Sequence, residues 1–228
     1  MWSKRALDLI GSGLGLIFLS PLFLLVMILI KRDSKGPSFF TQTRYTKDRK
    51  AFTIYKFRTM THLHQRPQDA LTMANDQRVT QIGHFLRKYK IDELPQLINV
   101  FLGEMSLVGP RPMMLWEIDL LASSKEEADR LFEVQSGMTD YASIYFYNEF
   151  EYLNKGSDSN RYYAEVIMPF KMKLKVWYVD ELEKYGIWLD IKIICFTILR
   201  LFGKRMNRDD LQKIKKNQGK SSSDLNLK

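Results

Sequence analysis

The sequence predicts an α/β protein, mostly helical with a small β-hairpin, built as a monotopic membrane protein with an N-terminal re-entrant helix-break-helix and interfacial amphipathic helices. Three observations predict it. Residues 9–30 form a run of 22 uncharged residues, broken by Ser20-Pro21 and flanked by Lys4-Arg5 and Lys31-Arg32. Two short alternating, aromatic segments surround a charged loop at residues 47–50. Further on, apolar residues recur at helical intervals up to a last, almost wholly apolar segment.

The N-terminal run is long enough to cross a hydrocarbon core, since a helix rises about 1.5 Å per residue and the core is about 30 Å thick. Its flanks argue for a return. Basic residues beside a membrane segment favour the cytoplasmic side, and both ends carry a basic pair. Pro21 lacks a backbone donor and crowds the Ile17 carbonyl, so a bend belongs there, with the Ser20 hydroxyl placed to serve a freed group. Ser20 and Pro21 are therefore read as the membrane break, although an ordinary kinked span satisfies the same composition. Asp8 is placed to pair locally with Lys4 or Arg5, and Gly11, Gly13 and Gly15 thin the first limb for packing or bending.

Three regions follow: a re-entrant helix at 1–32, a cytoplasmic domain at 33–203 ending in an interfacial helix, and a basic tail at 204–228. The length of 228 residues suits one ordinary domain beside the membrane element. Cys195 is the single cysteine, so no internal disulfide or cysteine metal cluster exists, which fits a reducing compartment. The net charge of +9 is uneven: the tail holds eight basic and three acidic residues among Ser, Asn and Lys and reads as disordered. In a membrane-seated chain such a tail meets anionic lipid of the inner leaflet before nucleic acid.

Residues 33–37 form a turn cluster. Residues 38–43 and 51–60 read as a hairpin, whose second strand should present Lys56 and Arg58 side by side on the face of Phe52 and Ile54. Residues 61–75 are polar and irregular. Ile82, Phe85, Leu86 and Tyr89 follow helical spacing up to residue 90. Asp92-Glu93-Leu94-Pro95 is a helix-start signal, with Asp92 near the cap, leading into 96–101. Gly103 and Val108-Gly109-Pro110-Arg111-Pro112 mark a proline-fixed loop. Residues 115–132 read as two helices with a capping signal at Ser123-Ser124, 137–140 as a turn, and 162–185 as a long helix. Trp188-Leu189-Asp190-Ile191-Lys192 opens the last helix, which lies at the membrane surface by its interfacial anchors.

The candidate site is Lys56, Arg58, Arg87, Asp92, Glu93 and Arg111: a carboxylate pair among four cations. Each part alone is ordinary, since an acidic pair at a helix start is usually a cap and a strand cation is usually solvated. Together they suit a pyrophosphate-bearing donor at a bilayer surface. A carboxylate at a helix start would be kept ionised and could attack phosphorus; Glu93 would hold a divalent ion while the cations offset the remaining charge. Oxygen ligands make Mg²⁺ the expected ion. The three histidines, His62, His64 and His84, form no ligand set with cysteine, and His62-x-His64 reads as solvated.

Lys4-Arg5-x-x-Asp8, the Ser20-Pro21 break, Gln42-Thr43-Arg44, Lys56-Phe57-Arg58-Thr59-Met60, Asp92-Glu93-Leu94-Pro95-Gln96-Leu97 and Val108-Gly109-Pro110-Arg111-Pro112 occur in this order. Together they resemble the bacterial sugar transferases called monotopic phosphoglycosyl transferases. Trp177-Tyr178-Val179 and Trp188-Leu189-Asp190-Ile191-Lys192 extend the resemblance to about residue 203. The resemblance implies a catalytic region on the cytoplasmic face of the bacterial inner membrane and a two-step reaction. Asp92 would attack the β-phosphate of a UDP-sugar, expel UMP and carry a sugar-phosphoryl group, which undecaprenyl phosphate then accepts, as the first membrane step of a surface glycan. Glu93 carries over as the Mg²⁺ ligand, and Lys56, Arg87 and Arg111 as phosphate-handling residues. One departure concerns Tyr147, which stands where many relatives have a donor-holding arginine. Two other readings stay open here: a membrane-anchored scaffold on the same fold, and a glycosyltransferase that releases UDP.

Overall fold

The structure, a computed structural model, describes residues 2–61, 76–114, 117–118, 125–147 and 162–203. The readings made for 62–75 with His62 and His64, for the Ser123-Ser124 cap and for the tail at 204–228 fall outside these residues.

Helix α1 runs from Trp2 to Asp33 with Pro21 inside it, and helical structure continues through Ser20-Pro21 without interruption. The local chemistry at the proline is as the sequence requires: Ser20 Oγ donates to the Ile17 carbonyl at 2.8 Å, the acceptor that Pro21 cannot serve. One side of α1 lies along the rest of the molecule. Asp8 and Ser12 are buried near its start, and Phe23, Val26 and Ile30 near its end. The glycines serve packing. A Cβ on Gly11 would come within 2.7 Å of Leu107 Cδ1, and one on Gly15 within 3.0 Å of Leu97 Cδ1. The other side exposes Ile10, Leu14, Ile17, Phe18, Leu24 and Leu25. By length and composition this helix could cross a membrane.

Strands β1 (Phe39–Tyr45) and β2 (Ala51–Phe57) form the expected antiparallel hairpin, in register from Phe39 opposite Phe57 to Tyr45 opposite Ala51. A 3-10 turn at Lys47–Arg49 joins them. Phe52 and Ile54 bury one face with Val100 and Met105. Phe57 takes the other side, edge-on to Phe23 of α1 and stacked on Phe39.

The strand ends at Phe57, and that corrects the reading of Arg58 beside Lys56. Arg58 is 1% exposed, and its guanidinium donates to the carbonyls of Pro37 (2.6 Å), Lys35 (2.9 Å) and Ser34 (2.9 Å). It closes the turn after α1 instead of facing a ligand. Turn carbonyls with no ladder partner need a donor, and a guanidinium has enough to serve three.

Helix α2 (Gln81–Lys88) is capped by Thr80, whose Oγ1 accepts from Gly83 N at 3.1 Å. Helix α3 (Gln96–Leu102) ends at Gly103 with a left-handed φ of 84°. Strands β3 (Ser106–Val108) and β4 (Gly137–Thr139) pair in parallel, so the segment read as a turn at 137–140 is a short strand followed by a cap. Asp140 provides that cap, accepting from Ser143 N at 2.6 Å to start α5 (Tyr141–Tyr145). Helices α4 (Lys125–Leu131), α6 (Met168–Tyr185, entered through a π-turn at Tyr163–Ile167) and α7 (Ile187–Leu201) complete the order. Their apolar faces form the largest core, with Phe132, Tyr141, Ile144, Leu174, Tyr178 and Ile193 among its members.

The basic start of α1 is tied into this core, which corrects the expected local pairing of Asp8. Asp8 Oδ1 accepts from Ser106 Oγ (3.0 Å) and Leu107 N (2.8 Å). Lys4 Nζ reaches Asp190 Oδ2 at 2.6 Å, the Val108 carbonyl at 2.8 Å and Tyr178 Oη at 3.3 Å. Arg5 donates to the carbonyls of Val100 and Phe101, near the end of α3.

Replacing Arg58 by Ala leaves three carbonyls without their donor. Charge-assisted hydrogen bonds of this kind are worth about 1.5–3 kcal/mol each, and their losses are not additive, so a total near 3 kcal/mol is expected. Thermal unfolding in detergent should fall by roughly 10 °C. Any protein that stays folded should keep its affinity for a phosphate-bearing ligand, which a substrate contact at Arg58 would not allow.

Candidate active site

A cavity of about 1090 Å³ opens between the hairpin, the α2–α3 region and the helices of the second half. Lys56, Arg87, Asp92, Glu93 and Arg111 all line it. The fold thus brings these five of the six predicted residues to one cavity. Arg58 touches the same cavity but spends its donors on the turn carbonyls.

Asp92 and Glu93 lie in a 3-10 turn, Ile91–Glu93, one turn before α3. Lys90 precedes it with a left-handed backbone (φ 56°), sparsely populated for a residue with a side chain. This corrects the idea that Asp92 is a helix cap. Helix α3 begins at Gln96, and Asp92 Oδ1 is buried with no hydrogen-bond partner.

The two carboxylates are treated oppositely. Glu93 is held as an anion: Oε2 accepts from Arg111 Nη1 at 2.9 Å, while Oε1 accepts from Arg111 Nη2 and, at 3.0 Å, from Lys56 Nζ. Burial works against its charge, but Arg111 and Lys56 outweigh burial and keep the Glu93 carboxyl well below the usual range. Arg111 is shifted upward by the same pairing, and Lys56 downward, chiefly by burial. Asp92 is pushed up to about 6, first by burial and then by the charge of Glu93. Arg87, anchored by Nε to Thr59 Oγ1 at 2.8 Å, opposes that rise, as do Lys56 and Lys90. A carboxylate short of hydrogen bonds and poised near 6 is a reactive oxygen nucleophile once ionised.

The loop carrying Arg111 is fixed from several sides. Gly109 and Gly137 cross so closely that a Cβ on Gly137 would lie 2.0 Å from Gly109 N, so neither segment tolerates a side chain there. Gly109 N donates to the Thr139 carbonyl and Gly137 N to the Pro110 carbonyl, both at 3.0 Å. The backbone of Arg111 donates to Asp140 Oδ2 (3.3 Å) and accepts from Lys175 Nζ (3.3 Å). On the other side Arg87 is seated by the close approach of α2 to the chain after β2, where a Cβ on Gly83 would meet the Thr59 carbonyl at 2.2 Å.

Several cavity residues were not singled out as site residues from the sequence. Arg44 donates to Gln42 Oε1 at 2.8 Å and pairs with Glu117 at 3.4 Å; burial brings its guanidinium down to about 10. The Gln42-Thr43-Arg44 motif was the signal for it. Lys90, Lys175 and Arg200 also line the cavity and carried no motif.

Among the described residues no group of three His, Cys, Asp or Glu could hold a metal ion alone. A Mg²⁺ ion that takes most of its ligands from a pyrophosphate and water does fit the acidic pair. Asp92 Oδ1 has no partner, and Glu93 Oε2, with one donor, keeps acceptor capacity.

The family model described as bacterial sugar transferase matches residues 1–204. The chain is 36% identical over 200 residues to a UDP-glucose:undecaprenyl-phosphate glucose-1-phosphate transferase of Klebsiella pneumoniae, covering 87% of this chain and 40% of that protein. It is 32% identical over 207 residues to a UDP-N-acetylgalactosamine-undecaprenyl-phosphate N-acetylgalactosaminephosphotransferase of Aeromonas hydrophila, covering 89% of this chain and 45% of that protein. With an uncharacterized sugar transferase of Bacillus subtilis it shares 35% identity over 198 residues, 87% of this chain and 86% of the relative. The chain therefore spans less than half the length of the first two relatives.

The raised Asp92 carboxyl has a stability consequence of defined sign. The folded protein holds this proton up to about pH 6, whereas an unfolded aspartate releases it near 3.8. Its contribution to stability therefore falls between those values and is unfavourable above them. Asp92→Asn should stabilise the protein at pH 7.5, by about 2–3 kcal/mol, with the difference closing toward pH 4. Melting temperatures of both proteins across that range check it.

Proposed function

The chain belongs to the bacterial sugar transferase family, and from that premise we propose that it transfers a sugar 1-phosphate from a UDP-sugar to undecaprenyl phosphate, releasing UMP. The observation that carries the mechanism is the contrast between its two adjacent carboxylates: Glu93 neutralised by Arg111 and Lys56, Asp92 buried, unpaired and pushed up to about 6.

In this reading an Asp92 oxygen attacks the β-phosphorus of the donor. The bond from that phosphorus to the bridging oxygen breaks, UMP departs with the electron pair, and the sugar phosphate is carried on Asp92 as an acyl phosphate. An oxygen of the acceptor phosphate then attacks the same phosphorus, and the carboxylate leaves. Both nucleophiles are anions, so neither step needs a general base. What each needs is counter-charge, and Arg87, Arg111 and Lys56 line the cavity to provide it. Glu93 holds the fork of Arg111 in place through two hydrogen bonds. Glu93 would hold a Mg²⁺ ion, which would supply further positive charge to offset the pyrophosphate. The relatives named above act on UDP-glucose and UDP-N-acetylgalactosamine, and the donor of this chain is a UDP-sugar of that kind.

The same reading seats α1 in the inner leaflet as a re-entrant element, with the catalytic body on the cytoplasmic face. Support comes from both ends of the helix resting on one body. Lys4 and Arg5 bond to Asp190 and to the carbonyls of Val108, Val100 and Phe101, while Val26 and Ile30 pack with Phe57 and Leu86. Fastening at both ends to one body supports an arrangement in which both ends stay on the same side of a bilayer. Exposed apolar residues on α1 and the exposed Trp188, Ile198 and Leu201 of α7 would face lipid.

Incubation with UDP-sugars, Mg²⁺ and undecaprenyl phosphate should yield UMP and a lipid-linked sugar diphosphate. Asp92→Asn should lower UMP release by at least about a thousandfold. Donor alone should leave a sugar-phosphate mass on the Asp92 peptide. UDP as the nucleotide product, or unchanged release in the variant, would overturn the mechanism.

For topology, cysteines at positions 2 and 34, in a chain whose exposed Cys195 is replaced by Ser, should both be labelled from the cytoplasmic side. Labelling from opposite sides would replace the re-entrant arrangement with a span.

A further inference from the structure

The cavity has a second cationic corner, which meets the Glu93–Arg111–Lys56 cluster at Lys90. Lys90, turned by its left-handed backbone, places its ammonium 5.5 Å from the centroid of the Tyr147 ring. The Arg200 guanidinium carbon lies 5.0 Å from the same ring. All three side chains line the cavity. Among the described residues neither cation has a carboxylate within 4.0 Å, whereas Arg44, Lys56 and Arg111 each have one. Two cations sharing an aromatic ring without a carboxylate between them make a seat for an external anion.

Its surroundings specify the kind of anion. Arg200 comes from the last turn of α7, and Ile194, Ile198 and Leu201 of the same helix line the cavity beside it. Ile198 and Leu201 are also half exposed, so this apolar flank continues from the cavity to the outer surface. A nucleoside diphosphate is polar along its whole length and gains little from such a flank. A phosphate monoester on a hydrocarbon chain matches both parts: charge at Lys90 and Arg200, methylenes along α7.

We propose that Lys90, Tyr147 and Arg200 seat the phosphate of the polyprenyl phosphate acceptor, with Ile194, Ile198 and Leu201 supporting its first isoprene units. This rests on the transfer reaction above and assigns its second substrate a place. Lys90 belongs to both ends of the site, since its charge also favours ionised Asp92 and Glu93. Tyr147, whose phenol is shifted upward mainly by burial, stays a protonated donor at neutral pH. The missing donor-side arginine at position 147 then has a different meaning: the position serves the acceptor, and an arginine from α7 supplies the charge.

The test separates the two half-reactions in the full-length protein in nanodiscs. With donor alone, Arg200→Gln should release one UMP per chain at the wild-type rate. With acceptor added, its apparent KM for a prenyl phosphate should rise about tenfold, the loss of one charge-assisted contact, and Arg200→Lys should recover part of it. A binding arm does not depend on turnover: Asp92→Asn protein should bind farnesyl phosphate more tightly than farnesol, inorganic phosphate or UMP. Adding Arg200→Gln should weaken farnesyl phosphate about tenfold and leave farnesol unchanged. Slowed UMP release equal to the acceptor defect would assign the corner to the donor and overturn the proposal. An unchanged acceptor KM with unchanged farnesyl phosphate binding would also overturn it. Wild-type protein that releases no UMP would refute the transfer reaction, and the binding arm would still decide this seat.

Discussion

The Val108 carbonyl is the point on which the architecture converges. Lys4 Nζ and Tyr178 Oη both donate to it, and Asp190 accepts from both of those groups in turn. Four segments meet there: the start of α1, the end of β3, the middle of α6 and the start of α7. Asp190 is fully buried and Lys4 nearly so, so loss of either would strand a charge in the interior, a costly defect. Next along the chain come Gly109, Pro110 and Arg111. The knot that fixes the apolar helix is thus three residues from the guanidinium that holds Glu93.

That proximity explains how one small site keeps two adjacent carboxylates in different states. Arg111 is rigid because its loop is clamped at Gly109–Gly137 and bonded on both backbone sides by Asp140 and Lys175. A rigid fork commits to one carboxylate, and it commits to Glu93. Asp92 is left with burial and a like charge beside it, a combination that raises its carboxyl to about 6 and costs folding stability. The clamp, the glycines and the second-half helices therefore bear on the Asp92 carboxyl without touching it.

Much of this arrangement could be read from residue order alone, and the exceptions share a cause. Alternation and aromatic content located the hairpin because its core face is one-sided; helical spacing located α2 and α6, and nearly continuous apolar composition located α7. Lys56, Arg87, Asp92, Glu93 and Arg111 were legible as a charge cluster, through the combination of cations with an acidic pair, and the fold gathers them at one cavity. Arg58 fits the same pattern and does something else. Whether an arginine meets a ligand or three carbonyls depends on where the strand stops, and period-two reasoning does not see that end. Local pairing of Asp8 with Lys4 or Arg5 is all that adjacent charges can suggest, whereas the hydrogen-bond partners of Asp8 and Lys4 lie about 100 and 186 residues away. Lys90 reads only as the end of a helical stretch and Arg200 only as an interfacial anchor of the last helix until the fold places them on one tyrosine ring.

The reach of the Lys4–Asp190 bond also bears on the order of assembly during synthesis. At 5–20 residues per second, Asp190 emerges from the ribosome about 10 to 40 s after Lys4. Throughout that interval the long apolar helix exists without the partner that will anchor its charged start. The bond from Lys4 to Asp190, and with it the seating of the segment from Val108 to Arg111, is therefore among the last contacts the chain can make.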